Sequence, residues 1–359
     1  MTAVTDQPSE LLALRQLADD IFAASAEPVL DAQERRVAYD PALWNTLAGS
    51  GLTLLTTPES LGGSGAGLHE LGVVLESAGY HSAAVPLVEH DLLAAWLLRT
   101  AELPIPEGPM TAAVTTQPLQ SGRLVAVFDL VSWANAADVL VVASDGFVAA
   151  LSREQFSVEE STDIAGQPIG RVSVDATLES GRYRSVDVGL REYRLRGALG
   201  RAVQTCGALA RALELSRDHV QQREQFGRPI AKFQAVQTLI SSAAGALSVA
   251  KTAAEFAIEI ATLRGFSSPH AVFAISVAKI ESARAATIVA RNAHQAHGAI
   301  GFTLDHRLRH FTLRALAWRS EFGTQRQWQH DLGQMALDST SSVWELVTEL
   351  SSAALSIET

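Results

Sequence analysis

The chain has 359 residues, of which 47% are hydrophobic and 19% charged, and its formal net charge is −11 at pH 7. This length and apolar content suit two or three packed domains and exclude an intrinsically disordered chain. The acidic balance argues against a general nucleic-acid or membrane-surface role. A single cysteine, Cys206, excludes an internal disulfide framework and a cysteine-based zinc site.

The N-terminal sequence has no basic segment followed by an apolar one, so it shows no signal peptide. It also contains no run of about 18 uncharged apolar residues, the length that a membrane-spanning helix needs. We therefore expect a cytoplasmic protein.

The first third of the chain predicts helices. Apolar residues recur at the helical period over 11–22, and Asp40 followed by Pro41 provides the residue types that begin a helix. Proline and clustered glycine at 58–65 predict a turn, and helical spacing resumes at Leu68. We expect an N-terminal α-helical domain that spans residues 1–110.

Between residue 111 and about residue 188 the pattern changes to short apolar or alternating runs, separated by turns that contain glycine. Such runs predict β-strands. They lie at 124–128, 139–143, 147–151 and 171–175. We expect a small antiparallel sheet or barrel, which forms a shortened middle β domain over residues 111–190.

From Tyr193 onward the chain is again helical, and the predicted helices are long. Abundant alanine allows helix backbones to approach closely, as in an antiparallel four-helix bundle. The helices are predicted at about 195–223, 231–263, 269–297, 306–319 and 324–355. The third domain is thus a helical bundle over residues 191–359, and the fold class is α+β.

Two segments of this last domain resemble those of a known family. One reads R-E-Q-F-G-R-P-I over 223–230, followed by F-Q at 233–234 and Gln237, and the other reads Q-A-H-G-A-I-G-F over 295–302. They resemble the R-x-x-F-G-x-P-I-x-x-F-Q-x-x-Q and Q-x-x-G-G-x-G-[FY] motifs of the acyl-CoA dehydrogenases, and P-E-S-L-G-G at 58–63 resembles their P-E-x-x-G-G. The resemblance spans most of the chain. It implies an N-terminal helical domain, a middle β-barrel domain, a C-terminal four-helix bundle and FAD as cofactor.

The residue types of both segments also suit a dinucleotide. An arginine fork near a helix N-terminus binds a diphosphate, phenylalanine packs against an aromatic ring, and glycine lets the backbone approach a ligand. Taken singly, a helix-end arginine is more typical of a solvated charge, but the two segments together favour the ligand. In the family these residues reach across a dimer interface to FAD seated mainly in the neighbouring subunit. The resemblance therefore implies a shared FAD site that includes Arg223, Gln225, Phe226, Gln295, Gly298 and Ala299, although Ala299 stands where the family usually has glycine.

The middle domain departs from the family pattern. Catalytic members carry T-E-P-x-A-G-S-D, which holds the flavin of the same subunit, whereas the chain reads V-T-T-Q-P-L-Q-S-G over 114–122. Thr116 and Pro118 match, Gln117 replaces the acid, and the A-G-S-D is missing. The S-W-A-N at 132–135 is either a remnant of the family's W-[IS]-[TS]-N or ordinary strand packing of its tryptophan. We predict that the chain's own flavin pocket is defective.

The family's catalytic base also lacks a match. Its commoner position lies in Y-E-G-T, which reads E-F-G-T over 321–324 here, so that Phe322 stands at the base position. The alternative position falls on Gly197. Glu321 is shifted by one residue, about 100° around a helix, and is either a solvated charge or a base in a remodelled loop. We assign no catalytic residue.

Four histidines lie near one another in the sequence and raise the question of a metal site. They are His294, His297, His306 and His310. Their spacing and the absence of a supporting acid pattern do not fit a zinc site, and we assign no metal ligand.

These departures resemble one subset of the family. Some bacterial members, notably actinobacterial ones, form α2β2 heterotetramers, in which one subunit type binds FAD and carries the base. The other type has a degenerate β domain but keeps the two C-terminal segments. The resemblance implies that this chain is such a partner subunit, with a homologous catalytic subunit, a bulky or steroid-derived acyl-CoA substrate, and an electron-transfer flavoprotein as acceptor.

Two alternatives remain open from the sequence. One is a self-sufficient homo-oligomeric acyl-CoA dehydrogenase that uses Glu321 or another acid as its base. The other is a non-catalytic scaffold that binds an acyl thioester or a partner chain and does not touch flavin.

Overall fold

The N-terminal part of the structure, a computed structural model that describes residues 7–31 and 34–338, is helical. It contains α1 (Gln7–Asp31), α2 (Pro41–Gly49), a 3₁₀ turn (Glu59–Leu61), α3 (Leu68–Tyr80), a π-helix (Val88–Ala95) and α4 (Trp96–Thr100). Helix α2 begins as predicted, because the Asp40 side chain accepts a hydrogen bond from the Leu43 N–H at 2.9 Å and Pro41 follows it. The predicted turn at 58–65 is confirmed, and Gly62 takes a left-handed φ of 84° there.

The middle part forms two open sheets. Its strands are β1 (Met110–Val114), β2 (Arg123–Ser132), β3 (Val139–Ala143), β4 (Val148–Ser152), β5 (Phe156–Thr162), β6 (Pro168–Thr177) and β7 (Tyr183–Arg184). One sheet has the order β1-β3-β4-β7 and the other β2-β6-β5. Strands β2 and β6 alternate buried and exposed residues, since one face of each strand packs on the apolar core between the sheets.

Two details of the predicted β domain are wrong. The strands do not close into a barrel, and they are not all antiparallel, because β1 pairs with β3 in parallel. The physical reason is that β2, which follows β1 in the chain, belongs to the other sheet, so the chain returns to β1 in the same direction. The prediction also missed β1, which is rich in alanine, and β5, which is mostly exposed.

The C-terminal part is a bundle of long helices, as predicted. Its elements are α5 (Leu190–Gln222), a hairpin of β8 (Glu224–Gln225) and β9 (Arg228–Pro229), α6 (Gln234–Arg264), α7 (Pro269–His297), a 3₁₀ turn (Gly298–Phe302), α8 (Leu308–Trp318) and α9 (Gln325–Asp338). The predicted extension of the last helix to residue 355 lies outside the described residues.

Helices α5 and α7 run in the same direction. At their beginnings, the Ser267 hydroxyl donates to Glu192 at 2.9 Å. At their ends, the rings of His219 and His297 stack with centroids 4.4 Å apart. The C-terminal ends of α5 and α7 therefore lie side by side, and each is followed by one of the two family-like segments.

The N-terminal helices and the bundle share one core. A Cβ on Gly79 of α3 would lie 2.1 Å from the Gln204 carbonyl of α5, and one on Gly207 would lie 1.9 Å from the Glu76 carbonyl. Only glycine permits this approach of two backbones. The division at 110/111 and 190/191 coincides with changes of element type and stays a prediction.

Of the helices in the described ranges, none combines the length and apolar character needed to cross a bilayer.

Candidate functional site

The first family-like segment forms an exposed hairpin at the end of α5. Strands β8 and β9 pair through Glu224–Pro229 and Gln225–Arg228, and Phe226 and Gly227 form the tip with φ values of 53° and 76°. Positive φ at both central residues is the conformation of a tight two-residue hairpin turn. The turn presents the Phe226 ring to solvent, with 90% of the residue exposed.

The polar side chains of this hairpin are available to a ligand. Arg223 and Gln225 are exposed, and the Arg223 guanidinium forms no ion pair with any residue of the ranges that the structure covers. The Arg228 guanidinium lies over the Phe233 ring, 4.4 Å from its centroid. Two arginines thus flank an aromatic tip.

The second segment ends α7 on the same side of the bundle. Gln295, Gly298 and Ala299 are all exposed. Gly298 has a φ of 66° and ends the helix, and a Cβ built on it would meet nothing within 4 Å. The space beside this backbone is open to a ligand.

A cluster of three histidines joins the two segments, and we call it the histidine stack. The His219 and His297 rings are stacked, and the His306 ring meets His297 edge-on. His297 lies 4.4 Å from His219 and 4.6 Å from His306 between ring centroids. His219 is one turn before Arg223, whose N–H donates to the His219 carbonyl at 2.8 Å. The six residues predicted from the motifs therefore lie at one end of the bundle, although the contact between the two segments is made by the stack. Sequence reasoning missed His219, and its position four residues before Arg223 was the available signal.

These groups fit one side of a dinucleotide. An unpaired guanidinium and an exposed amide suit phosphate oxygens, and an exposed ring suits the flat face of an aromatic group. Because all six residues are exposed, they can cover only one side of such a ligand.

The two base positions of the family meet elsewhere in the structure. A Cβ on Gly197 would lie 2.3 Å from the Phe322 ring, so the ring fills the space that a side chain at 197 would need. Tyr193 packs against the same ring at a centroid distance of 6.0 Å. Neither position carries a carboxylate.

This aromatic contact borders a cavity of about 730 Å³ between the β-sheets and the connection from α8 to α9. Most of the lining is apolar, and it includes Ala112, Val127, Leu130, Ile164 and Leu316. Glu89, Asp163 and Glu321 are among the carboxylates that border it. A carboxylate in this cavity could act as a base only if no other group already binds it.

Arg201 binds two of these acids. Its guanidinium contacts Glu89, which is as deeply buried as the arginine, and lies 2.9 Å from Glu321. Burial alone would lower the pKa of Arg201, but the two carboxylates raise it above its ordinary value. Burial also raises the pKa of Glu89, and Arg201 opposes that shift. Glu321 is thus the ion-pair partner of an arginine at the cavity wall.

Lys279 of α7 lies near this charged group. It is 1% exposed, and its ammonium donates to the Trp318 carbonyl at 2.6 Å. Burial lowers its pKa to about 7.

Trp133 is packed in the protein interior, as in the second interpretation of the S-W-A-N segment. It is 3% exposed and belongs to a small core with Val37 and Ala84. The segment from residue 115 to 121 contains no strand, and Thr115 accepts a hydrogen bond from the Gln117 N–H at 3.0 Å.

The four histidines noted in the sequence do not form a metal cluster. His294 contacts the Thr312 hydroxyl at 2.9 Å, and burial lowers the pKa of His310 to about 3. Within residues 7–31 and 34–338, no group of three or more His, Cys, Asp or Glu residues has a geometry that could hold a metal ion.

Comparison with known proteins identifies the fold and the family. The chain matches the family "Acyl-CoA dehydrogenase, N-terminal domain" over residues 8–101 and the family "Acyl-CoA dehydrogenase, C-terminal domain" over residues 195–334. These two ranges together cover more than half of the chain. The chain belongs to the acyl-CoA dehydrogenase family, a family of oxidoreductases that act on CH–CH bonds, and this membership supports FAD as its cofactor.

Individual relatives agree with this assignment. The chain is 27% identical to acyl-CoA dehydrogenase IpdE2 of Mycobacterium tuberculosis over 86% of its own length and 91% of that protein. Its fold is similar to a chain of the ChsE4-ChsE5 complex from Mycobacterium tuberculosis, with a TM-score of 0.82, 23% identity, and coverage of 92% and 98% of the two chains. It is also similar to a chain of the Tcur3481-Tcur3483 steroid ACAD, with a TM-score of 0.78, 24% identity, and coverage of 92% and 98%.

Proposed function

We propose that this chain is the partner subunit of an FAD-dependent acyl-CoA dehydrogenase and that it completes the FAD site of a homologous catalytic subunit. One observation carries the proposal. The ends of α5 and α7 present exposed groups suited to a dinucleotide, whereas neither base position, Gly197 or Phe322, carries a carboxylate, and the Phe322 ring fills the space at Gly197.

The division of labour follows from the chemistry. Dehydrogenation of an acyl-CoA thioester needs a carboxylate that removes the α-proton and FAD that accepts the β-hydride. In this chain the Glu321 carboxylate is held by the buried Arg201 guanidinium at 2.9 Å, so it is already engaged as an ion-pair partner. The catalytic base therefore comes from the partner.

In this proposal the residues of this chain bind FAD and orient it. Arg223, with Gln225 and Gln295, supplies hydrogen bonds to the phosphate arm of FAD, and Phe226 packs on an aromatic portion of it. The backbone at Gly298 and Ala299 allows close approach. Exposed apolar residues beside them provide a surface for the catalytic subunit, and these are Ile300, Phe302 and Leu304.

The relatives support an α2β2 assembly and a bulky substrate. Two of the similar structures are described as a ChsE4-ChsE5 complex and a Tcur3481-Tcur3483 steroid ACAD, each named for two components. By analogy, we propose an acyl-CoA with a bulky or steroid-derived acyl group, and an electron-transfer flavoprotein as the acceptor.

Replacement of Arg223 by alanine tests the shared site. The chain is co-expressed with a homologous catalytic subunit, and the purified complex is expected to hold about one FAD per two chains. Arg223→Ala removes a charged hydrogen bond that contributes about 1.5–3 kcal/mol, which weakens FAD binding by about 10- to 150-fold. The measurement is FAD release, followed by flavin absorbance during gel filtration and by a binding titration.

Arg217→Ala is the matched control. This arginine lies on the same helix and pairs with Asp218 at 2.9 Å at the surface, so its loss should leave flavin content unchanged. A complex that retains full FAD affinity after Arg223→Ala would contradict the shared site and favour the non-catalytic scaffold.

Expression of the chain alone tests the alternative of a self-sufficient dehydrogenase. A partner subunit is expected to be colourless when it is purified without the catalytic subunit. A yellow, active homo-oligomer whose activity disappears in Glu321→Gln would instead establish a self-sufficient dehydrogenase.

A further inference from the structure

We propose that the histidine stack of His219, His297 and His306 takes up a proton when the diphosphate of FAD binds at Arg223. The inference rests on the proposed function and extends its site to three residues outside the family-like contacts. It also adds a dependence on pH that the six motif residues alone would not produce.

The position of the stack brings it close to the bound anion. His219 lies in the last turn of α5, and its carbonyl accepts from the Arg223 N–H at 2.8 Å. His297 lies in the last turn of α7, two residues after Gln295. His219 and His306 are each partly exposed, whereas His297 between them is 6% exposed. An anion gripped by Arg223 is therefore within electrostatic reach of the rings.

The hydrogen bonds of the neutral stack leave one ring nitrogen unsatisfied. His297 Nδ1 lies 2.8 Å from the Ala293 carbonyl, so this nitrogen carries the proton, because a carbonyl only accepts. Nε2 of the neutral ring is then an acceptor, and it is buried without a partner among the described residues. Protonation would turn this orphaned acceptor into a donor.

Several charges around the stack decide its protonation. Burial lowers the pKa of all three histidines, and repulsion from neighbouring histidines adds to this for His297 and His306. The pKa of His297 is lowered to about 4. Arg223 of α5 lowers the pKa of His219, and His294 of α7 lowers that of His297 and His306. The segment around His306 also carries Asp305, Arg307, Arg309 and His310, and α5 and α7 carry Arg217, Asp218 and Arg291. Arg307 is itself paired with Glu27 and Asp31 at 2.7 and 2.6 Å.

A bound diphosphate changes this balance. The helix ends already favour positive charge at His219 and His297. Two phosphate charges beside Arg223 favour the protonated rings further and oppose the burial and repulsion that keep them neutral. Binding thus raises the histidine pKa, and a proton enters from solvent with the cofactor. By linkage, binding must then strengthen as the pH is lowered from neutrality toward the pKa values of the free stack.

Calorimetry of the complex measures this proton directly. The complex with the homologous catalytic subunit is stripped of FAD and titrated with FAD at neutral pH in buffers of different ionisation enthalpy. We expect net proton uptake, and FAD affinity that rises up to about tenfold per pH unit on acidification below neutrality where one proton is taken up. A proton number of zero throughout this range in the unmodified complex would overturn the inference without any variant.

Two variants locate the proton. His219→Gln keeps a polar side chain without a titrating group, and His219→Phe keeps a flat ring that can stack on His297. Each should reduce proton uptake and flatten the pH profile while Arg223-dependent FAD binding persists. The control is His69→Gln on α3, where the histidine pairs with Glu259 at 3.1 Å.

The outcomes distinguish the two proposals. If the His219 variants and also His297→Gln and His306→Gln each take up as many protons as the unmodified complex, the stack is not the acceptor. If Arg223→Ala leaves FAD binding unchanged, the shared site itself is wrong, whatever the proton number.

Discussion

At the scale of single residues, Gly197 and Phe322 compete for one space. The Phe322 ring lies where a Cβ on Gly197 would stand, and Phe322 has a φ of 55°, a left-handed conformation that bulky residues rarely adopt. A carboxylate introduced at position 197 would meet the Phe322 ring. A base at position 197 therefore requires that Phe322 be replaced as well.

Gly197→Ala should destabilise the protein by about 1–3 kcal/mol, because the added methyl group overpacks against Phe322. Urea unfolding followed by circular dichroism measures the change. In the double variant with Phe322→Ala the added methyl group has room, so the combined loss should be smaller than the sum of the two single losses. Strict additivity of the two substitutions would show that the residues do not compete.

At the scale of elements, a buried lysine links two helices of the bundle. Lys279 of α7 donates to the last carbonyl of α8, at Trp318, over 2.6 Å. The same carbonyl also accepts from the Glu321 N–H at 3.2 Å, so it keeps a partner without the lysine. The link positions the connection that carries Glu321 and Phe322.

Lys279→Met should remove a pH dependence of stability. The pKa of Lys279 is lowered to about 7 in the folded protein, whereas the unfolded chain holds this proton up to about pH 10. Between these values only the unfolded state binds the proton, so stability rises with pH by at most about 1.4 kcal/mol per unit. Urea unfolding at a series of pH values from 7 to 9 should show a shallower rise in the variant. Parallel curves for the two proteins would contradict the neutral lysine.

The sequence predicted some helices and strands and missed others, and the difference depends on how each element packs. Strands β2 and β6 have strong periodicity because each buries one face. The long helices of the bundle were predicted from their length and their abundant alanine. Strand β1 was missed because it is buried almost throughout and rich in alanine, and β5 because most of its residues are exposed. The open, partly parallel arrangement of the sheets depends on contacts distant in sequence, which periodicity does not contain.

The sequence predicted which residues belong to the candidate site, but it did not predict the contacts among them. The motif spacing identified Arg223 and Gln295, and the sequence also identified Gly197 and Phe322 as vacant base positions. It did not predict that these two positions touch, nor that Arg201 binds Glu321. Each of these contacts joins residues more than 100 positions apart, and a buried charge such as Arg201 is not distinguishable from a surface charge in the sequence.

At the scale of the whole molecule, Arg201 joins three regions. It lies on α5 and binds Glu89 of the N-terminal π-helix and Glu321 of the connection after α8. Its side chain is 3% exposed. Because charges buried this deeply need partners, the ion pairs define how these regions pack together.

Arg201→Met should destabilise the molecule by about 3–5 kcal/mol, because it leaves buried carboxylates without their partner. Thermal and urea unfolding measure the loss. Adding Glu89→Gln and Glu321→Gln removes both charges and should recover a substantial part of it. If the triple variant is no more stable than Arg201→Met, the loss reflects packing of the arginine stem instead of unpaired charge.

The solvent-facing Phe226 ring has a consequence for how the protein is produced in the cell. A large apolar ring at the tip of a hairpin turn, with Phe302 also 75% exposed, favours self-association when no partner surface covers it. Because the proposed function pairs this chain with a catalytic subunit, we expect the two to be synthesised in matched amounts, since a surplus of this chain would be prone to aggregation and degradation.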